Sequence, residues 1–288
     1  MNSSEHNHQK KIAVINDFSG FGRCSLAVSL PIISTMKIQC CPLPTSVFSN
    51  HTGFDSFYFR DFTDYMNPYI EEWRKLGLRF NGITSGFLGS KQQIDIVKAF
   101  IKEFQMKDTI VLVDPVMGDN GVPYATYTKD MCQEMKKLVS YADILTPNLT
   151  EACILTDTEY RQNGWKMAEI QELAQKLQSM GPGKIVITGI IQGEFIANYC
   201  YDAKEYEKDT GYKGKFMRTH KIGSTRSGTG DIFAAIVAAD AVNGVPFEAS
   251  VRKASGFIKK CIQKSIDLDI PLTDGVCFEE VLSELRVR

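Results

Sequence analysis

An α/β fold on a mostly parallel sheet, with an antiparallel edge, is predicted by three observations. Short apolar runs rich in β-branched residues recur along the chain, segments of helical period separate them, and the runs do not alternate apolar with polar. Non-alternating runs belong to strands buried on both faces, and strand–helix repetition marks an open α/β sheet. The runs start at Lys11 (KIAVIN), Phe80 (FNGITSG), Thr109 (TIVLVD), Ala142 (ADILTPN) and Lys184 (KIVITG). Helical period between them is clearest over 92–104 and 167–180. Residues 193–220, including EFIANYCYDAKEY, alternate apolar with polar and predict antiparallel strands at the sheet edge. The last third reads as helical over 229–242, 247–265 and 278–285. No linker or repeat interrupts the pattern, so a single domain over 11–288 is expected behind a flexible polar terminus over 1–10.

Composition narrows the function classes. The 288 residues carry 33 Lys+Arg against 34 Asp+Glu, a formal net charge of −1. That balance argues against a nucleic-acid binder, which needs a basic face. No 18-residue apolar run exists and no secretory signal opens the chain, so no membrane contact and a cytoplasmic location are expected. The eight cysteines form no C-x-x-C pair and have no histidine at zinc spacing, which reads as reduced thiols. Without secretion, the N-x-[ST] matches at Asn2, Asn50 and Asn148 are not glycosylation sites.

Ligands of such sheets bind beyond the carboxyl ends of the strands. Each strand end here carries small, acidic or amide residues: Asn16-Asp17-Phe18-Ser19-Gly20, Ser85-Gly86, Asp114-Pro115, Pro147-Asn148 and Thr188-Gly189. The strongest segment is Gly223-Ser224-Thr225-Arg226-Ser227-Gly228-Thr229-Gly230-Asp231, which runs into the apolar helix IFAAIVAAD. Small residues before a helix let backbone N–H groups approach an anion, and the helix dipole favours it, so phosphate is the natural occupant. Asp231 in the first turn either complements the dipole or takes a proton from an attacking hydroxyl. At an ordinary pKa of about 4 it is expected to be ionised at neutral pH. Asp114-Pro115-Val116-Met117-Gly118-Asp119 is either a turn or a pair of acids beside a magnesium–phosphate centre. Pro147-Asn148-Leu149-Thr150-Glu151 can open a helix, with a capping box accounting for Glu151. The P-loop, the dinucleotide fingerprint and G-x-S-x-G are all missing; Gly20-Phe21-Gly22 is only a near match.

Phe48-Ser49-Asn50-His51-Thr52-Gly53, Ser85-Gly86-Phe87-Leu88-Gly89-Ser90, the Asp114–Asp119 string, Thr146-Pro147-Asn148 with Glu151, Val186-Ile187-Thr188-Gly189 and Gly228-Thr229-Gly230-Asp231 occur in that order. Together they resemble the pyridoxal kinases of the ribokinase-like superfamily. The resemblance covers about 12–254 and implies a three-layer sandwich with helices on both sheet faces. It implies transfer of the ATP γ-phosphate to the 5′-hydroxymethyl group of pyridoxal, pyridoxine or pyridoxamine. Asp231 then corresponds to the base, and Gly228, Thr229 and Gly230 to the anion hole. Asp17, Ser19, Phe48, Thr52 and Phe87 correspond to the substrate side. Thr146, Asn148, Thr188, Gly189 and Ser227 correspond to the ATP side. Asp114, Asp119 and Glu151 correspond to acids around Mg2+ and a monovalent cation such as K+. Residues 119–128 match the cover over the phosphates, and relatives pair as homodimers.

Phe48 with Phe54, Phe57, Tyr58 and Phe59 could wall an aromatic substrate or simply fill core. Asp17 departs from the better-known pyridoxal kinases, in which a serine stands here. Hydroxymethylpyrimidine kinases carry an acid near this point, so they are the alternative reading. Ser227 stands where those enzymes often have a cysteine. The adjacent Cys40 and Cys41 are placed at a strand end beside the substrate.

Overall fold

A computed structural model describes residues 5–125, 127–204 and 214–286. Residues 1–4 of the polar terminus, residue 126 of the expected cover and the last two residues of EFIANYCYDAKEY lie outside them. The chain runs β1 (Lys11–Ser19), α1 (Ser25–Thr35), β2 (Gln39–Phe48), β3 (Phe59–Asp61), α2 (Thr63–Lys75), β4 (Gly82–Ser85) and α3 (Lys91–Phe104). It continues with β5 (Ile110–Val113), β6 (Gly118–Asp119), β7 (Val122–Pro123), α4 (Lys129–Val139), β8 (Ile144–Leu145), α5 (Leu149–Leu155) and α6 (Met167–Gln178). β9 (Lys184–Gln192), β10 (Phe195–Asp202), β11 (Gly214–His220), α7 (Thr229–Asn243) and α8 (Phe247–Asp267) complete the regular elements, followed by 3-10 turns at Leu272–Asp274 and Glu279–Leu285. Contacts divide the chain into two compact units, Met1–Ile110 with Ile222–Arg288, and Val111–Lys221.

In the first unit the strand order is β4-β1-β2-β3. β1 is parallel to both β2 and β4, and β3 closes the edge antiparallel to β2. Ile12 to Asp17 are all buried, as a strand covered on both faces requires. α7 is apolar all round, with every residue from Ile232 to Asp240 buried, so it is a core helix rather than an amphipathic one. Its one buried charge, Asp240, is paired by Lys253 Nζ at 2.6 Å. α3 starts on Ser90, whose hydroxyl accepts from Gln93 N at 3.2 Å. It buries Ile94, Val97, Phe100, Ile101 and Phe104, and Phe100 stacks on Phe104 at 4.5 Å.

In the second unit the order is β5-β8-β9-β10-β11, parallel as far as β9 and antiparallel beyond it. The predicted antiparallel edge over 193–220 is therefore present as β10 and β11. The run at Ala142 shortens to Ile144–Leu145, because Pro147 donates no ladder N–H and Asn148 turns the chain into α5. The expected helix over 278–285 is a 3-10 segment, with Val281 N bonded to Phe278 O. It buries only Leu285, too little to hold a longer helix. The β6–β7 hairpin was not anticipated. Its Asn120 (φ 51°) and Gly121 (φ 81°) form the left-handed pair that a two-residue hairpin demands.

Cys40 and Cys41 pair with Ile12 and Ala13 at the amino end of β2, away from the carboxyl ends that carry Asp17 and Phe48. They lie at a strand end, as expected, and that end is the amino one. No disulfide joins any of the eight cysteines. Among the described residues, no helix is long and apolar enough to cross a membrane.

Candidate active site

Two acids, one buried and one half-buried, organise the first unit's strand-end cluster. Asp17 ends the buried stretch of β1 and is 6% exposed. Its carboxylate accepts from Ser25 Oγ at 2.6 Å and Ser19 Oγ at 3.1 Å. Burial raises its pKa above the ordinary value against these hydrogen bonds. Asp231 is half-buried in the first turn of α7. Asn16 Nδ2 donates to its Oδ1 at 3.1 Å, and the Ser25 backbone N–H donates to the same carboxylate. Burial, with the charge of Asp17 beside it, pushes the Asp231 pKa up to about 6. The expected pKa near 4 is thereby corrected, since sequence shows the acid but not its desolvation.

Asn16 was not picked out by sequence reasoning, yet it links three elements. Its Oδ1 accepts from Asp17 N at 3.0 Å and Phe87 N at 2.8 Å while its amide reaches Asp231. The signal was its place beside Asp17 at a strand end.

The glycine-rich segment is built for close approach. Gly228 caps α7 at φ 85°, and a Cβ there would lie 2.0 Å from Arg23 O. Only glycine satisfies both demands. Gly230 is exposed with open space around it, so an anion can approach its backbone. Thr229 Oγ1 donates to Arg226 O at 3.3 Å, and Ser227 O accepts from Val276 N at 3.2 Å. Arg226, also missed, is 8% exposed and braces this segment through the carbonyls of Ile270 and Pro271.

Phe48 is buried at the end of β2, with its ring centroid 4.8 Å from Phe59, 5.7 Å from Phe57 and 6.5 Å from Phe87. Phe57, Tyr58 and Phe59 are exposed, so of the aromatic stretch Phe48 belongs to the core and these three do not. Phe54 leaves the group and packs on His51 and Phe21. His51 bonds Thr273 O at 2.7 Å and Gly53 N at 3.0 Å, a structural role. Thr52 lies exposed in this loop.

In the second unit, Glu151 sits in the first turn of α5 and closes the expected capping box. Asn148 Oδ1 accepts from Glu151 N at 2.9 Å, and Glu151 Oε2 accepts from Asn148 N at 2.7 Å. Glu151 Oε1 also accepts from Met117 N at 3.2 Å. Burial and the nearby Asp114 charge push the Glu151 pKa well above its ordinary value. Asp119 is exposed and holds Asn120 through its backbone and side-chain nitrogens. Asn148 Nδ2 donates to Gly118 O at 2.8 Å, and Asn148 bridges to Thr188. Thr188 N donates to Pro147 O at 2.9 Å, and exposed Gly189 (φ 74°) donates to Asn198 Oδ1 at 3.3 Å. Thr146 Oγ1 is buried with no hydrogen-bond partner among the described residues.

No group of three His, Cys, Asp or Glu side chains among the described residues could hold a metal ion by itself. Magnesium on a nucleotide needs only one or two carboxylates, with water and phosphate supplying the rest. Asp114 beside the crowded Glu151 fits that need, because a cation would relieve their mutual repulsion.

Residues 75–272 match the family described as phosphomethylpyrimidine kinase. A Bacteroides thetaiotaomicron protein provisionally assigned as a phosphomethylpyrimidine kinase is 36% identical, with a TM-score of 0.92 over 98% of this chain and 96% of its own. A second crystal form of it, with pyridoxal, superposes at TM-score 0.90, covering 97% of this chain and 96% of that one. The pyridoxine kinase of Bacillus subtilis is 27% identical over 67% of this chain and 68% of its own. The thiamine biosynthetic bifunctional enzyme TH1 of Arabidopsis thaliana is 24% identical over 90% of this chain, which spans 47% of that enzyme's length.

Proposed function

Because this chain belongs to the phosphomethylpyrimidine kinase family and is similar to a pyridoxine kinase, we propose that it phosphorylates vitamin B6. The acceptor is the 5′-hydroxymethyl group of pyridoxal, pyridoxine or pyridoxamine, and the donor is ATP. The observation that carries this reading is the Asp231 carboxylate, held by Asn16 and Ser25 at the mouth of a glycine-rich helix start. Phosphoryl transfer needs positioning and charge neutralisation more than covalent chemistry. Asp231 accepts the hydroxymethyl proton as the oxygen attacks. The backbone N–H groups of Gly228, Thr229 and Gly230, at the positive end of α7, hold the transferring phosphate. Phe48 and Phe87 bear on the acceptor ring, with Asp17, Ser19 and Thr52 as its polar contacts.

Thr146, Asn148, Thr188, Gly189 and Ser227 serve the nucleotide. The unpartnered Thr146 hydroxyl supports a polar occupant there. Asp114, Asp119 and Glu151 would hold Mg2+ and a monovalent cation such as K+. Magnesium, when bound, neutralises the phosphate charge. One kinase domain over 11–288, working as a homodimer in the cytoplasm, completes the proposal.

Pyridoxal in a crystal of the 36% identical relative supports the B6 acceptor. Hydroxymethylpyrimidine is the second reading, supported by the family's description and by an acid at position 17. A kinase assay with the three B6 vitamers and hydroxymethylpyrimidine, each against ATP, separates them. The highest kcat/KM is expected for a B6 vitamer. A higher value for hydroxymethylpyrimidine would replace this reading with the second.

A further inference from the structure

We propose that Ser25 is a positioning residue: its hydroxyl bond to Asp17 holds a left-handed backbone turn that aims the Ser25 N–H at the Asp231 carboxylate. The proposal rests on Asp231 being the base and adds the device that orients it. Gly22 (φ 107°), Arg23 (φ 47°) and Ser25 (φ 55°) all lie in the left-handed region, which side chains other than glycine rarely adopt. Such strain persists only where surroundings over-determine it.

Three observations supply the determination. The Ser25 hydroxyl is 2.6 Å from Asp17 Oδ1, and both residues are buried. Cys24, the N-cap of α1, makes no side-chain cap hydrogen bond, so a capping side chain does not hold the turn. The turn is also wedged between two glycines. Added Cβ atoms at Gly228 and Gly275 would lie 2.0 Å from Arg23 O and 2.3 Å from Gly22 O. One side of this wedge is the cap of α7 that carries Asp231.

Among the described residues, these charged and titratable groups surround the carboxylates of Asp231 and Asp17. Asp17 on β1 raises the proton affinity of Asp231. Cys24, between β1 and α1, has a thiol that burial pushes up to about 12, so it stays neutral. His51 acts on Asp17. Arg23 points its guanidinium to Glu279 and to Asp274 O. The Ser25 N–H, the Asn16 amide and the Asp231 residue's own N–H are then the donors that favour the ionised base, and losing any one raises its pKa.

The test is kinetics of Ser25→Ala, Ser25→Gly and Asp231→Asn over pH 5 to 9, with the best acceptor. Alanine lacks the hydroxyl and resists positive φ, whereas glycine adopts it freely. For Ser25→Ala we expect kcat about 10-fold lower, an acid limb about one pH unit higher and KM for ATP unchanged. For Ser25→Gly we expect kcat within about 3-fold of wild type and an unmoved limb. An unmoved limb in Ser25→Ala, or equal impairment of the two variants, overturns the proposal. Should Ser25→Ala fold poorly, the wild-type Ser25 amide resonance followed by NMR against pH decides. It should titrate with the kinetic midpoint and lie flat in Asp231→Asn; a flat wild-type curve overturns the proposal. A near wild-type rate in Asp231→Asn would instead sink the base assignment itself.

Discussion

Asp231 and Glu151 hold the same local position, the first turn of a helix, in different units of the molecule. Their surroundings make them different groups. Glu151 has each oxygen tied to a backbone N–H, Asn148 on one side and Met117 on the other, with the Asp114 charge nearby. Asp231 is held from outside its helix, by Asn16 and Ser25, and its pKa settles at about 6. A first-turn acid is thus defined by what other elements bring to it. A carboxylate with its proton affinity near neutral suits proton transfer. One crowded by a second acid suits a cation.

The largest expected effect breaks the comparison at Asp231. Asp231→Asn should lower kcat by about 10²- to 10⁴-fold, the range for a lost general base, while isothermal calorimetry still finds ATP binding. In the wild type, kcat/KM should fall as pH drops below about 6, where Asp231 takes up its proton. The same group sets a stability signature of opposite slope. Its pKa is raised from 3.8 to about 6 on folding, so the folded state binds the proton more tightly than the unfolded chain. The stability this lends is complete below about pH 4 and is lost as pH rises through about 6. Asp231→Asn carries no such loss. It should melt higher than wild type at pH 7.5, and the gap should close as pH falls to 4. A gap that widens on acidification would contradict the raised pKa.

Parts of this contrast were legible in the chain and parts were not. The capping box at Asn148 and Glu151 is a local signal, four residues long, and the structure forms it as read. The glycine-rich start of α7 was equally local. What sequence could not show is distant. Gly228 is required by the Arg23 carbonyl, some two hundred positions earlier in the chain, as well as by its own φ. Asn16 and Ser25 matter because β1 and the start of α1 come to the cap of α7, and the pKa of Asp231 follows from that meeting. The Asn120-Gly121 hairpin is a different kind of miss. Its dipeptide is a strong short-range signal, but its strands are two residues each and carry no readable period.

A smaller effect tests the other side. Glu151→Gln keeps an oxygen to accept from backbone N–H and removes the charge. We expect the Mg2+ concentration for half-maximal rate to rise about 10-fold, as for a displaced metal-site partner. Without magnesium the variant should melt no lower than wild type, because it relieves the repulsion with Asp114. If magnesium dependence were unchanged, Glu151 would be a capping residue only, and the two first-turn acids would differ less than the comparison holds.

The smallest effect sharpens the Asp231 side of the comparison. Thr52 lies in the loop after β2, exposed, in the same unit as Asp231. Thr52→Val removes a hydroxyl and keeps the side chain's volume. One hydrogen bond to the acceptor is worth about 0.5–1.5 kcal/mol, which is roughly 2- to 10-fold in affinity. KM for pyridoxal should rise by that factor while KM for ATP stays put, since the proposed nucleotide contacts at Thr146, Asn148, Thr188, Gly189 and Ser227 lie outside this loop. Equal rises in both constants would mean that the loop orders the nucleotide contacts as well as the acceptor's.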